Sequence, residues 1–251
     1  MQLALDGLSV GDALGERFFF PPHFELLATR TEPRGPWRWT DDTAMALSIA
    51  QMLAERGGID QDQLATAFAR RFMAEPDRGY GRGAYALLHQ IGCGVPWDEA
   101  AQAMFDGSGS MGNGAAMRAA PIGAYFAEHL GDVADHAAAA SQVTHMHSEG
   151  IAGGVAVAVA AGWACRQLMG VENERGFFET VVGHLREGTT RQGIDKASTR
   201  RRRFATLPHR RLPPAWETAA TSWRLIRCRS VSGVRGDSAK ATRMRFGKRS
   251  P

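Results

Sequence analysis

Apolar residues recur three and four positions apart through most of the first 170 residues, a spacing that predicts helices rather than strands. The first predicted helix covers 3–14, with Gly7, Gly11 and Gly15 four residues apart on one face. Such a glycine row lets another backbone come close, at a cost in helix propensity. Over 43–53 the apolar positions are Ala44, Leu47, Ala50 and Leu53, and Gly57-Gly58 ends the run. Asp60 opens a helix to about residue 73, with Leu64, Ala67, Phe68 and Phe72 on one side, and Pro76 breaks it. Further helices are predicted over 84–91, 97–105, 115–128, 132–140, 151–169 and 172–186. Between the first two, Pro21, Pro22, Pro33 and Pro36 make 18–36 irregular. No alternation of strand type appears before residue 190. The predicted fold is an all-α globule of several short, Ala-rich helices.

Composition adds a boundary. The chain has 251 residues, 44% of them hydrophobic, enough for a sizeable core, and a net charge of +4. That charge hides a split: residues 1–190 hold 13 Arg, no Lys and 23 acids, whereas 191–251 hold 17 basic residues against Asp195, Glu217 and Asp237. From about Gly188 the helical period fades and Arg, Ser, Thr and Pro dominate. The expected organisation is a helical domain over 1–190 and a basic, irregular tail over 191–251. Clustered Arg attracts phosphate non-specifically, yet the tail has few interleaved aromatics and is not read as a nucleic-acid-binding element.

Cys93, Cys165 and Cys228 are odd in number and far apart, which points to reduced thiols and a cytoplasmic protein. Residues 1–8 lack the basic cluster of a signal peptide. The longest apolar run, 151–165, is too short and too rich in Ala and Gly for a membrane span, so no membrane partner is expected and a buried helix with close neighbours fits better.

The candidate chemistry centres on Trp39-Thr40-Asp41-Asp42-Thr43. One reading is a capped helix start, since a Thr cap and first-turn acids are favoured there. The other is a metal site, since three hard oxygen donors suit Mg²⁺ or Mn²⁺. Asp12, among small residues, is either an acceptor behind that cluster or a solvated carboxylate, with spacing slightly favouring the latter. Asp77-Arg78-Gly79-Tyr80-Gly81-Arg82-Gly83 exposes backbone amides ahead of a helix, and so does the stretch from Ser108 to Ala115; both are either turns or anion cradles. Thr144-His145 follows an Ala-rich helix, where a lone His is more often structural than functional.

Taken together and in order, five motifs resemble the ADP-ribosylglycohydrolase family of the dinitrogenase-reductase-activating type. They are Gly-Asp-Ala-Leu-Gly at 11–15, Trp-Thr-Asp-Asp-Thr at 39–43, Asp-Arg-Gly-Tyr-Gly at 77–81, Gly-Asn-Gly-Ala-Ala-Met-Arg at 112–118 and Thr-His at 144–145. The resemblance implies an orthogonal multi-helix fold and a centre of two Mg²⁺ or Mn²⁺ ions, with Thr40, Asp41 and Asp42 as half of the metal ligands. It implies that Gly81, Gly83, Ser110, Gly112, Asn113, Gly114, Ala115 and His145 hold ADP-ribose. It implies hydrolysis of a glycosidic bond to an ADP-ribosylated protein or small molecule, with Asp41 and Asp42 catalytic through the metal. The catalytic acid that the family places after its first motif, near the scissile bond, corresponds here to Glu16, which sits earlier than in the family. The family's C-terminal Gly-Asp-x-Asp-Thr motif, which completes the metal centre, has no counterpart, so the second ion lacks its ligands. The alternative function is therefore an inactive ADP-ribose-binding or nucleotide-binding module.

Overall fold

The computed structural model describes residues 1–29, 31–171 and 176–204, with side chains as far as 199. These residues are all-α: eleven α-helices and two short 3-10 turns occur among them, and no strand. In order they are α1 (Gln2–Glu16), α2 (Phe24–Thr29), α3 (Asp41–Arg56), α4 (Gln61–Ala74), α5 (Arg82–Gly92), α6 (Trp97–Ala103), α7 (Ala120–Tyr125), α8 (Leu130–Gln142), α9 (Ser148–Leu168), α10 (Phe177–Gly183) and α11 (Thr189–Phe204).

The helices start and stop where local chemistry dictates. Gly57 takes a left-handed φ of +74° to close α3, with its amide on the Leu53 carbonyl. Asp60 caps α4 by accepting from the Gln63 amide at 3.0 Å. The apolar faces of α3 and α4 meet through Ile49, Leu53, Leu64, Phe68 and Phe72, all 1% exposed or less. Val133 of α8 and Val159 of α9 extend the same core.

α9 is the central helix. It is 21 residues long, apolar enough by length and composition to cross a membrane, and here it packs most extensively on α7 and α8. Its small residues permit this: a Cβ at Gly123 of α7 would collide with the Ala158 carbonyl oxygen of α9, and one at Gly154 would strike the Ser141 hydroxyl of α8.

Several elements differ from the predicted ones. The segment 18–36 holds the two 3-10 turns and α2, because Pro21 occupies a first-turn position where no amide is needed. The helix expected over 115–128 is reduced to α7; turns run through 113–118 and Pro121 opens the helix late. The helix expected over 172–186 is described only as α10. The glycine row of α1 meets no neighbour within 4 Å at Gly7, Gly11 or Gly15 among the described residues. The expected domain boundary at 190 falls inside α11, whose first amides, from Thr189 and Thr190, donate to the Glu149 carboxylate of α9 at 2.7 and 2.8 Å. The remainder of the expected tail, 205–251, lies outside the described residues.

Candidate functional site

The chain enters α3 from an extended Thr40, with φ −114° and ψ −157°. Thr40 occupies the cap position, but its side chain does not cap. Asp12 of α1 does so instead. Asp12 Oδ2 accepts the Thr40 amide at 2.7 Å, the Thr43 amide at 3.2 Å and the Thr43 hydroxyl at 2.6 Å, while Oδ1 accepts the Thr40 hydroxyl at 2.6 Å. The leaning toward a solvated Asp12 is thus corrected: four donors at a helix start offset its desolvation. Because Thr40 gives its proton to Asp12, the oxygen lone pairs of Thr40 remain available.

Asp41 and Asp42 are half-buried on the first turn of α3. Burial raises the pKa of Asp41. Burial, then the charges of Asp12 and Asp41, push Asp42 up to about 6. No basic side chain among the described residues forms an ion pair with either. The segment ahead of them is braced by Arg78, whose guanidinium lies 3.5 Å from the Trp39 ring centroid while Nε donates to Glu75 Oε2 at 2.7 Å.

Two loops and one histidine face Asp41. Gly81 precedes α5 as its cap residue. The loop at 104–114 turns through left-handed Phe105 and Asp106 and is pressed against the start of α9: a Cβ at Gly109 would lie 2.6 Å from the His147 nitrogen. A Cβ at Gly114 would lie 2.9 Å from His145 Cε1. Only bare backbone fits between this loop and the imidazole.

His145 follows α8 and is 7% exposed. Its Nδ1 lies 2.7 Å from the Thr144 hydroxyl, and Thr144 Oγ1 accepts from Arg118 Nη2 at 2.6 Å. Burial, then the charge of Arg118, pull the imidazole pKa down to about 3, so the ring is neutral. Burial also lowers Arg118, to about 9, which leaves it charged at neutral pH.

These groups enclose a cavity of about 220 Å³. Asp41, Gly81, Gly83, Ser110, Gly112, Asn113, Gly114 and His145 all line it, with Arg118 and Thr144. Seven of the eight residues assigned to ligand holding from sequence therefore share one wall system. Ala115 is the exception: it is buried, with its methyl turned toward Gly154 of α9. Glu16 and Thr40 line a second cleft of about 640 Å³ with Trp39 and Arg78, on the other side of the Thr40 turn. Asp42 lines neither. Among the described residues no group of three His, Cys, Asp or Glu side chains is placed to hold a metal by itself.

The roles of Asp12, Arg118 and Thr144 were not assigned from sequence. The signal for Arg118 was its place as the last residue of the motif at 112–118. The cavity lining combines a glycine-rich loop and a neutral imidazole with the desolvated Asp41 carboxylate, which suits a ligand with an anionic part and a polyhydroxyl part.

Residues 2–240 match the ADP-ribosylglycohydrolase family. An ADP-ribosylhydrolase ARH3 from Mus musculus is 36% identical over 152 residues, covering 59% of this chain and 40% of the relative. An ADP-ribosyl-(dinitrogen reductase) glycohydrolase from Rhodospirillum rubrum is 31% identical over 154 residues, covering 56% of this chain and 49% of that protein. A solved structure titled ADP-ribosylglycohydrolase-related protein complex aligns with a TM-score of 0.47 at 27% identity, over 72% of this chain and 58% of that one. The chain thus spans 40% of the length of the mouse relative it matches.

Proposed function

The chain belongs to the ADP-ribosylglycohydrolase family, and from that premise we propose that it hydrolyses the glycosidic bond joining ADP-ribose to a protein or small-molecule acceptor. The observation that carries the proposal is the single cavity joining Asp41, both glycine-rich loops and His145. The amides of 110–114 suit the diphosphate. The end beside Asp41 suits the distal ribose, whose anomeric carbon carries the bond to be cut.

Thr40, Asp41 and Asp42 would hold Mg²⁺ or Mn²⁺. The fit rests on two desolvated carboxylates without a positive partner among the described residues, and on a Thr40 hydroxyl already donating to Asp12. A bound divalent ion supplies charge stabilisation and orientation for the ribose hydroxyls and the attacking water. This chain's own residues do the rest. Asp12 fixes the Thr40 oxygen, the Arg78–Trp39 stack fixes the approach to it, and the 108–114 loop orients the diphosphate relative to the bond.

A second reading has its own support. Among the described residues Asp41 is the one acid that lines the cavity; Asp42 lines neither it nor the neighbouring cleft, where Glu16 stands. Those facts favour a module that binds ADP-ribose without turning over its adducts. One experiment separates the two: ADP-ribose release from an ADP-ribosylated protein, with Mg²⁺ or Mn²⁺, beside calorimetric binding of ADP-ribose to the same chain. Metal-dependent release above the spontaneous rate supports hydrolysis. Binding without release establishes the module, and absence of both removes the ligand.

A further inference from the structure

Arg118 is 1% exposed, and no carboxylate among the described residues pairs with it. Its guanidinium lies 4.7 Å from the Phe68 ring centroid, and Nη1 reaches Met45 Sδ at 3.6 Å. Nη2 donates to the Ala140 carbonyl at 3.1 Å and to Thr144 Oγ1 at 2.6 Å. An arginine only donates. Thr144 therefore accepts from it, and the hydroxyl's own proton needs an acceptor elsewhere. Thr144 is 4% exposed, and among the described residues no other protein acceptor is bonded to its hydroxyl. The acceptor within reach is His145 Nδ1, at 2.7 Å.

We infer that Arg118 and Thr144 are positioning residues that set the tautomer of His145: Thr144 donates to Nδ1, the ring proton stands on Nε2, and that N–H is presented to the cavity as a donor. The opposite tautomer would place two donors on Thr144 Oγ1 and leave the threonine proton buried without a partner, which costs more than an unmade surface bond. Nε2 has no protein partner among the described residues, and it lies against the glycine-rich loop: a Cβ added at Gly112 or Gly114 would fall 3.7 or 3.2 Å from it. The ring is neutral, so the donor is a fixed dipole rather than a cation. Its complement is an oxygen acceptor on the ligand, a phosphate or ribose oxygen. That choice of ligand rests on the ADP-ribose reading above; the tautomer does not.

Nitrogen-15 spectroscopy of the full chain with labelled histidine, at neutral pH and without ligand, reads the tautomer directly. The expected result is a His145 ring protonated on Nε2 with a bare Nδ1, retained in Thr144→Ser and lost in Thr144→Val. Affinity for ADP-ribose should fall about tenfold in Thr144→Val and recover in Thr144→Ser. A wild-type ring protonated on Nδ1, or on both nitrogens, overturns the inference without any variant having to fold. An Nε2–H ring in a wild-type chain that binds no ADP-ribose upholds the relay and sinks the ligand reading instead.

Discussion

Gly114 lies against the imidazole of His145, so a single methyl group there reaches the site directly. A Cβ there would lie 2.9 Å from Cε1, closer than packed carbons sit, so the ring must turn. Gly114→Ala is expected to weaken ADP-ribose binding about tenfold, read by calorimetry, while leaving the thermal midpoint close to wild type because the loop lies outside the main core. Gly114 and His145 were pointed to by the resemblance of their motifs, since their residue types alone left Gly114 a turn and His145 structural. Arg118 was assigned no role, although it stands in the same motif. Its partners, Met45, Phe68, Ala140 and Thr144, are scattered along the chain, and no local pattern announces a guanidinium held without a carboxylate.

At the scale of elements, two helices are capped by carboxylates borrowed from other helices. Asp12 of α1 serves α3, and Glu149 of α9 serves α11. Asp12→Ala is expected to cost about 1–2 kcal/mol in urea unfolding, the usual range for a lost cap, and to reduce divalent-ion binding further, since Thr40 loses its anchor. Glu149 supplies a pH signature. Hydrogen bonds from Thr190, then from the Thr189 amide, hold its carboxyl at about 2 rather than 4.5. A depressed folded-state pKa means that its contribution to stability is full above 4.5 and is lost as pH falls through about 2. Glu149→Gln should therefore melt below wild type at neutral pH, with the gap closing over that window in a pH series of melts. Thr40 was readable as a cap position from its place before an apolar run. That the capping oxygen comes from α1 was not readable, because it is fixed by tertiary packing and not by the spacing of neighbours. A different limit explains α7, where local turn chemistry and Pro121 shortened a segment whose Ala content favoured helix.

Across the whole molecule, the all-α reading was carried by periodicity in α3, α4, α8 and α9, whose buried faces make one core. Their close approach depends on missing side chains. Gly123→Ala, at the α7–α9 crossing, should destabilise the fold by about 1–3 kcal/mol in chemical denaturation, since the methyl meets a backbone carbonyl that cannot turn aside. Four of the five motifs, at 39–43, 77–81, 112–118 and 144–145, contribute to the cavity lining because the fold brings them together, and the one at 11–15 touches the site through the Asp12 cap. They were less informative about Glu16, which the helix turn of α1 carries to the adjoining cleft.

The clasp between Asp12 and Thr40 joins positions 28 residues apart, and its last partner is Thr43. A chain leaving the ribosome therefore has every atom of that clasp in hand long before residue 145 emerges. The acidic half of the site draws its cap from within the first 43 residues, whereas the half holding His145 waits for α8 and α9.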